Sequence, residues 1–153
     1  MRRFLRCWLT KLLYILRPPT WSARRDPLGP AGERAAEKFF KARDYKILVR
    51  NARVPMGEAD LLVEAPDGRT IILVEVKSRR LDAQRPDPPA EAAITGAKRR
   101  KLVAILRHLA RANHWRGRPL RIDVIAVDFL NGEPVEVRHH PGAVGIPSRH
   151  SIH

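Results

Sequence analysis

Two apolar segments separated by a short turn limit most strongly what this chain can fold into. Residues 58–65 (EADLLVEA) and 69–77 (RTIILVEVK) flank the turn sequence Pro66-Asp67-Gly68, so they are predicted to form a β-hairpin. Because side chains alternate between the two faces of a strand, the second segment is apolar on both of its faces. This pattern is typical of a central strand in a sheet that is covered on both sides. The side chains concerned are Ile71 and Leu73 on one face and Ile72, Val74 and Val76 on the other.

The remaining periodic segments predict the elements around this strand. A helix is predicted over residues 31–43 and a second one over residues 95–113. Further strands are predicted at residues 45–50, 120–129 and 134–139. The order α-β-β-β-α-β, followed by an edge strand, predicts an α/β fold with a central mixed sheet flanked by helices. The buried stripe of the second helix is predicted to be Leu102, Ile105, Leu106 and Leu109.

Length and composition predict one domain with an extension at each end. The 153 residues fit a single domain at roughly 100–200 residues per domain. We assign residues 28–140 to this domain, residues 1–27 to a basic amphipathic extension and linker, and residues 141–153 to an irregular tail. No stretch reaches the roughly 18 apolar residues that span a bilayer. The single cysteine, Cys7, excludes an internal disulfide and favours a reducing cytoplasm.

The N-terminal extension carries an amphipathic pattern of its own. Residues 1–17 have apolar side chains on one half of a helix and basic side chains on the other, and Pro18-Pro19 ends the pattern. Such a helix favours attachment to an anionic membrane surface, which would make the protein peripheral at the membrane. Packing on the domain or on a partner, and an extension without regular order, are the alternatives.

The chain is strongly basic, but its acids are concentrated. Thirty Lys and Arg residues against 16 Asp and Glu residues give a net charge of +14. An excess of this size favours an anionic partner, either nucleic acid or a membrane surface. Eleven of the 16 acids nevertheless lie between residues 28 and 93. Their concentration in a basic chain indicates a local role.

The hairpin turn fixes how the acids of its two strands meet. A two-residue loop at Asp67-Gly68 and a four-residue loop around it give the same register. In that register Asp60 lies directly opposite Glu75, on one face of the sheet. The same register places Glu58 opposite Lys77. Directly opposed residues have Cβ atoms roughly 4.5–5.5 Å apart, so the two carboxylates are predicted to be neighbours.

Two neighbouring carboxylates in a sheet require a counter-charge. Like charges at opposed positions destabilise a strand pair and raise each other's pKa unless a cation lies between them. Mg²⁺ or Mn²⁺ would offset the repulsion, since Mg²⁺ uses one or two carboxylates with waters and substrate phosphate. Lys77 would act on a water or stabilise charge on a transferring phosphoryl group. The alternative is a surface ladder in which Glu58 pairs with Lys77 while Asp60 and Glu75 are solvated.

Several segments, in their order along the chain, share the pattern of one known family. They are Gly32-Glu33-Arg34-Ala35-Ala36, Asn51, Gly57-Glu58-Ala59-Asp60-Leu61-Leu62, Leu73-Val74-Glu75-Val76-Lys77-Ser78-Arg79, Ala92 with Lys98, and Arg121-Ile122-Asp123-Val124. The sequence resembles the bacterial YraN-type family of predicted endonucleases, which is similar to the archaeal Holliday junction resolvases and has the restriction-endonuclease-like PD-(D/E)XK fold. The resemblance covers residues 28–140, although a Pro-rich segment at residues 85–89 replaces the usual Gly-x-Pro.

The resemblance implies a role for each matching residue. Asp60 and Glu75 correspond to metal-binding carboxylates, and the main-chain carbonyl of Val76 corresponds to a third ligand of Mg²⁺ or Mn²⁺. Lys77 corresponds to the catalytic lysine. Glu33 corresponds to a first-helix glutamate that completes the acidic site, and its position on the helix directs it toward the sheet. The alternative for Glu33 is an acid favoured by the helix macrodipole.

Basic residues near these motifs predict contacts with nucleic acid. The densest basic run opens the second helix, and two arginines follow the catalytic segment. They are predicted to contact the phosphate backbone without sequence preference, although a solvated helix face is the alternative for the run. The residues are Lys98, Arg99, Arg100 and Lys101 in the run, with Arg79 and Arg80 after the strand.

The sequence therefore predicts a nuclease that hydrolyses phosphodiester bonds in DNA with Mg²⁺ or Mn²⁺. Branched or otherwise structured DNA is the substrate that the resemblance implies. One alternative is a non-catalytic nucleic-acid-binding module that retains the acidic site. Another is an adaptor that binds a membrane surface through residues 1–17. A homodimer is compatible with the sequence.

Overall fold

The computed structural model describes residues 28–81 and 94–147 of the chain. Predictions for residues 1–27, 82–93 and 148–153, among them the amphipathic helix and the Pro-rich segment at residues 85–89, lie outside these ranges. The described residues form α1 (Gly29–Lys41), β1 (Lys46–Val54), β2 (Gly57–Glu64), β3 (Ile71–Arg80), α2 (Gly96–Ala112), β4 (Leu120–Leu130) and β5 (Glu133–His140).

One mixed sheet joins the five strands in the order β1-β2-β3-β4-β5. β3 and β4 are parallel, whereas the other neighbouring pairs are antiparallel. The connection between β3 and β4 contains α2, and this length of chain allows the crossover that a parallel pair needs. The predicted α/β class and the predicted central mixed sheet flanked by helices are confirmed.

The two helices cover opposite faces of the sheet, and each buries its own apolar cluster. Alternate residues of β3 divide between the clusters, with Ile72 and Val74 packed toward α1 and Ile71 and Leu73 packed toward α2. This division confirms the prediction of a central strand that is covered on both sides. The predicted stripe of α2 is also confirmed, because each of its members is at most 1% exposed: Leu102, Ile105, Leu106 and Leu109.

The turn between β2 and β3 produces the predicted register. The Ala65 N–H donates to the carbonyl of Thr70 at 2.9 Å, so the loop between them has four residues. Asp67 stabilises this loop, because its carboxylate accepts hydrogen bonds from the N–H groups of Arg69 and Thr70, both at 2.8 Å. β2 and β3 pair in the predicted register from Glu64 and Ile71 to Leu61 and Val74, where their pairing ends.

β1 is longer than predicted and forms a second hairpin with β2. It runs to Val54, beyond the predicted end at residue 50, and the chain turns at Pro55-Met56. The simple alternating pattern fails in β1 because the pairing register shifts immediately before Val49. Asn51 also has a φ of 50°, a left-handed conformation that interrupts a regular strand.

The ends of the other segments differ less from the predictions. β3 continues to Arg80 through its parallel pairing with β4, beyond the predicted end at residue 77. Residues 141–147 contain no helix or strand, as predicted for the tail, although Val144 is buried in the cluster under α2. Neither of the two helices in the described ranges is long and apolar enough to cross a membrane.

Candidate active site

The site lies where β2 separates from β3. Their backbone pairing ends at Leu61 and Val74, one residue before the predicted pair of Asp60 and Glu75. Here the Asp60 side chain replaces a backbone acceptor, since its Oδ2 accepts a hydrogen bond of 2.6 Å from the Val76 N–H. A hydrogen bond to a carboxylate is charge-assisted and therefore short and strong. It holds the Asp60 carboxylate against β3.

The same contact orients the main chain of Val76. In an antiparallel pair, the N–H and C=O groups of one residue point to the same neighbouring strand. Because the Val76 N–H meets Asp60, the Val76 carbonyl is directed to the side on which Asp60 lies. A carboxylate and a main-chain carbonyl therefore face the gap that opens between β2 and β3.

Glu75 is the most deeply buried acid of the site, with 2% of its surface exposed. Lys77, on the same face of β3, places Nζ 2.7 Å from Oε1 of Glu75, and Lys98 of α2 places Nζ 2.8 Å from Oε2. The Lys98 contact lies outside hydrogen-bond geometry. Consequently the buried Oε2 atom has no hydrogen-bond partner within residues 28–81 and 94–147.

Asp60 is held where its charge is disfavoured. Burial raises its pKa most, the charge of Glu75 raises it further, and Glu33 makes a smaller contribution in the same direction. The Val76 N–H and the charge of Lys98 act in the opposite direction but do not compensate, so the pKa of Asp60 is raised to about 7. Near neutral pH this carboxyl is partly protonated, and a cation bound beside it would favour the ionised form.

Glu33 approaches the site from α1. The helix packs closely on β3 at Gly32, where an added Cβ atom would clash with the Ser78 hydroxyl. Glu33 follows directly, is half-buried, and accepts a hydrogen bond of 3.2 Å from the Asn51 side chain of β1. The left-handed conformation of Asn51, which asparagine tolerates better than most residues, therefore occurs at the residue that binds Glu33.

The alternative prediction of a surface ion-pair ladder is wrong. Glu58 lies 3.3 Å from Arg53 of β1 instead of pairing with Lys77, and Lys77 pairs with Glu75. Glu75 is buried rather than solvated. The reason is the separation of β2 from β3 beyond Leu61, which moves Glu58 away from the strand that carries Lys77.

The basic run of α2 divides into residues with different surroundings. Lys98 points into the site. Arg99 donates to two main-chain carbonyls, from Nε at 3.3 Å and from Nη1 at 3.1 Å, and the second of these bonds ties the start of α2 to the C-terminal tail. Arg99, Arg100 and Lys101 are all exposed. Arg100 and Lys101 are thus exposed as predicted for the run, Arg99 is exposed but bonded to main-chain carbonyls, and Lys98 differs because it is half-buried in the site.

The two arginines at the end of β3 also differ. Arg79 forms two hydrogen bonds with the carboxylate of Asp128, at 2.7 and 2.9 Å, so its guanidinium is held by a buried acid. Arg80 is exposed at the end of β3. Of this pair, Arg80 has the more accessible side chain for a phosphate contact.

Two contacts of the site were not predicted from the sequence. Asn51 binds Glu33, and Lys98 pairs with Glu75. Each joins segments that are distant in the chain, so neither side-chain periodicity nor the hairpin register indicates it. The one local signal is Thr95, whose side chain caps α2 by accepting a hydrogen bond of 3.2 Å from the Lys98 N–H and so fixes the first turn of the helix.

The donor atoms of the site suit a hard divalent cation. The carboxylates of Asp60 and Glu75 and the carbonyl of Val76 offer the oxygen ligands that Mg²⁺ and Mn²⁺ prefer. The buried Oε2 of Glu75 is an acceptor that such a cation would satisfy. Within the described ranges, no group of three or more His, Cys, Asp or Glu side chains is arranged to hold a metal ion. Mg²⁺ typically keeps several waters and binds substrate phosphate oxygens in addition to one or two carboxylates.

The fold and the site together define a class of protein. It is an α/β domain of a basic chain with a buried acidic centre where two middle strands separate. The chain belongs to the uncharacterised protein family UPF0102, whose family model matches residues 32–127. This match confirms the predicted resemblance to the YraN-type family.

Relatives of similar length support this membership. The UPF0102 protein of Pelobacter propionicus is 37% identical over 124 residues, which are 79% of this chain and 86% of that protein. The UPF0102 protein of Symbiobacterium thermophilum is 42% identical over 102 residues, which are 66% of this chain and 81% of that protein.

Two solved structures are more distantly similar. The complex of EndoMS with double-stranded DNA matches with a TM-score of 0.35 and 19% identity over 76% of this chain and 42% of that one. SfsA of Pyrococcus furiosus in complex with Ca²⁺ matches with a TM-score of 0.35 and 19% identity over 74% of this chain and 62% of that one. The chain thus spans less than two thirds of either protein.

Proposed function

We propose that this protein is a nuclease that hydrolyses phosphodiester bonds in DNA with Mg²⁺ or Mn²⁺. The observation that carries the proposal is the state of Glu75, a buried carboxylate with one oxygen that lacks a hydrogen-bond partner in the described part of the chain. Buried polar atoms of a purely structural contact are normally satisfied. A buried acceptor that is ion-paired with a lysine but not hydrogen-bonded, and that lies beside Asp60 and the Val76 carbonyl, suits a cation-binding site.

Each residue of the site has a task in this reaction. A divalent ion held by Asp60, Glu75 and the Val76 carbonyl would polarise the scissile phosphate and lower the pKa of a bound water. Lys77, fixed beside Glu75, stabilises the negative charge that develops on the phosphoryl group or orients the attacking water. Glu33 extends the acidic side of the site and contacts the reacting groups through water.

DNA is the proposed substrate because of the charge of the chain and the placement of its cations. The net charge of +14 favours a polyanion. Arg100 and Lys101 are exposed on the turn of α2 that also brings Lys98 to Glu75, so a phosphate backbone bound there would lie beside the acidic site. The preference for branched DNA rests on the family resemblance. Cytoplasmic location, membrane attachment through residues 1–17 and a homodimer stay predictions.

A nucleic-acid-binding module without turnover is the second candidate. One observation favours it, because each oxygen of Glu75 lies beside a lysine ammonium group, so the charge of this acid is balanced without a metal ion. In that case the acidic centre is an ion-pair cluster beneath a DNA-binding surface.

Cleavage by Glu75→Gln, compared with Glu37→Gln, distinguishes the two candidates. Linear, flapped and four-way DNA would be incubated with each variant and the wild type in Mg²⁺ or Mn²⁺. We expect Glu75→Gln to lose cleavage by on the order of 10³-fold, since it removes a charge from the metal site. Glu37→Gln is the matched control, because Glu37 lies on α1 and binds Arg50 rather than the site; its rate should stay within a few-fold of the wild type.

DNA binding in chelator gives a second measurement. Without Glu75 the two lysines beside it are free to meet phosphate, so Glu75→Gln should bind DNA as tightly as the wild type or more tightly. About 1.4 kcal/mol of relieved repulsion would appear as a tenfold gain in affinity. Equal cleavage by the variant and the wild type would remove Glu75 from the mechanism. A wild type that cleaves none of the substrates and is not thermally stabilised by Mg²⁺ or Mn²⁺ would favour the binding module.

A further inference from the structure

Lys98 reaches the acidic site from a separate element of the fold. It lies in the first turn of α2, while Glu75 lies on β3, and their charged groups meet at 2.8 Å. The Lys98 side chain is 27% exposed, so it borders both the interior of the site and the solvent. Its neighbours Arg100 and Lys101 are exposed on the same turn. One end of the basic surface thus enters the acidic centre.

The charged groups of Lys98 and Glu75 are close, but their contact lacks hydrogen-bond geometry. It balances charge, yet it leaves Oε2 of Glu75 without a hydrogen bond inside the described ranges. The same oxygen is one of the donors that the proposed metal ion would use. An ammonium group at 2.8 Å and a divalent ion bonded to the same oxygen repel each other, because both carry positive charge. Lys98 therefore competes with the cation for Glu75.

We propose that Lys98 is an exchangeable counter-charge that couples metal binding to DNA binding. In the metal-free protein its ammonium group neutralises Glu75. When a divalent cation binds, Lys98 leaves Oε2 and its ammonium group binds a phosphate of the DNA backbone beside Arg100 and Lys101. This inference rests on the proposed metal-dependent function and assigns Lys98 as a substrate-positioning residue.

Lys77 is less suited to this exchange. It is on the same strand as Glu75, two positions away, and β3 is fixed by its pairing with β4 on one side of the site. Lys98 belongs to a helix whose exposed first turn carries further cations, and its long flexible stem allows the ammonium group to move without the backbone. The displaced charge consequently arrives where a phosphate backbone is expected.

The exchange predicts reciprocal coupling. If metal binding releases Lys98 toward DNA, a divalent cation raises DNA affinity, and DNA raises metal affinity by the same factor. A metal ion that bridges the site and a phosphate also contributes to this coupling. Loss of Lys98 should therefore reduce the factor without abolishing it.

Metal titration of the full-length, metal-free protein tests the exchange. Calorimetric titration with Mn²⁺ would compare the wild type with Lys98→Met, Lys98→Arg and Arg111→Met. We expect Lys98→Met to bind Mn²⁺ several-fold more tightly, because the competing ammonium group is gone. Lys98→Arg, which keeps the charge, should restore weaker binding. Arg111→Met is the matched control, because Arg111 is exposed in the last turn of the same helix; its Mn²⁺ affinity should stay within about twofold of the wild type, as screening weakens charges at a greater distance.

DNA affinity with and without Ca²⁺ completes the test, since Ca²⁺ also takes oxygen ligands. The gain in DNA affinity on adding Ca²⁺ should be several-fold smaller in Lys98→Met than in Arg111→Met. A wild type that binds no Mn²⁺ would overturn the proposed function itself. A wild type that binds Mn²⁺, with Lys98→Met no tighter than Arg111→Met and an undiminished gain from Ca²⁺, would overturn only the exchange. Melting temperatures of the variants equal to that of the wild type would show that the variants are folded.

Discussion

Asp128 on β4 and Glu75 on β3 are both buried acids on neighbouring strands, but cations balance them in different ways. Asp128 is 1% exposed and accepts hydrogen bonds from Arg79 at 2.7 and 2.9 Å and from Arg138 at 2.8 and 3.2 Å. Glu75 is 2% exposed, has lysine ammonium groups beside it, and keeps one oxygen without a hydrogen-bond partner among the residues described. The first carboxylate is saturated by directed hydrogen bonds, whereas the second is neutralised by ion pairs that leave one oxygen without such a bond.

The pKa values of Asp128 and of Asp60, the acid beside Glu75, are shifted in opposite directions. Hydrogen bonds from Arg79 outweigh burial and, together with Arg138, hold the pKa of Asp128 well below its usual range. Beside Glu75, burial and the charge of Glu75 raise the pKa of Asp60 to about 7. An arginine fork supplies two fixed donors per carboxylate, whereas a lysine is a mobile point charge. The two acids therefore differ in the type of cation that balances them, since arginines hold Asp128 in fixed geometry and lysines neutralise Glu75.

Asp128→Asn should show the largest effect on stability. It removes the charge between two arginines at a buried position, and breaking such a pair costs about 3–5 kcal/mol. Urea denaturation at pH 7 would measure the loss. Glu136→Gln is the matched control, because Glu136 contacts the same Arg138 but its side chain is 56% exposed, and it should cost less than about 1 kcal/mol. An equal loss for Asp128→Asn and Glu75→Gln would break the comparison, since the lysines beside Glu75 can turn to solvent.

Asp60→Asn should have a smaller effect of the opposite sign. The pKa of Asp60 is about 7 in the folded protein, against an ordinary value of 3.8 that applies to the unfolded chain. As pH rises, the unfolded chain therefore loses this proton at a lower pH than the folded protein does. The wild type therefore loses stability between these two pKa values, and the full penalty is present above pH 7. Removing the charge should stabilise the metal-free protein by on the order of 1–2 kcal/mol at pH 8, after allowance for solvent screening, and by almost nothing at pH 4.

Thermal and urea unfolding in chelator at the two pH values would measure this gain. The Asn side chain retains an acceptor for the Val76 N–H, so the backbone contact is preserved. A variant that is less stable than the wild type at pH 8 would show that Asp60 holds the fold in the manner of Asp128.

Much of the fold follows from patterns that are local in the sequence. The two-sided apolar pattern of β3 and the turn at Asp67 determine the centre of the sheet and the register of β2. The stripe of α2 follows from helical periodicity. β1 was predicted less well, because a register shift and the left-handed Asn51 interrupt its alternation. A strand is predictable from one sequence only while its side chains keep a regular period.

The candidate site was predictable to the extent that it depends on the hairpin. The predicted register correctly placed Asp60 near Glu75. It did not show that β2 separates from β3 at this point, and because of this separation Glu58 does not pair with Lys77. The partner of Glu75 from α2 depends on how the helix crosses the sheet. Arg79 was predicted to bind phosphate because the sequence does not reveal that the parallel register places it beside Asp128. Contacts between elements far apart in the chain are set by packing, and packing is not visible in local periodicity.

The smallest expected effect concerns basic side chains that are exposed rather than bonded to a buried acid. Arg100 and Lys101 are exposed near the acidic site, whereas Arg79 is held by Asp128. If only exposed cations release counterions on DNA, the double change Arg100→Ala/Lys101→Ala should lower the slope of log K against log salt by about 1.8, at roughly 0.9 per phosphate contact. Arg111→Ala/Arg116→Ala removes the same charge from exposed positions in the last turn of α2 and in the segment after it, and should leave the slope nearly unchanged. Fluorescence anisotropy across a salt series would measure both slopes. Equal slopes for the two double variants would mean that DNA senses the total charge of the protein rather than the surface beside Glu75, and the difference between held and exposed cations would then have no consequence for binding.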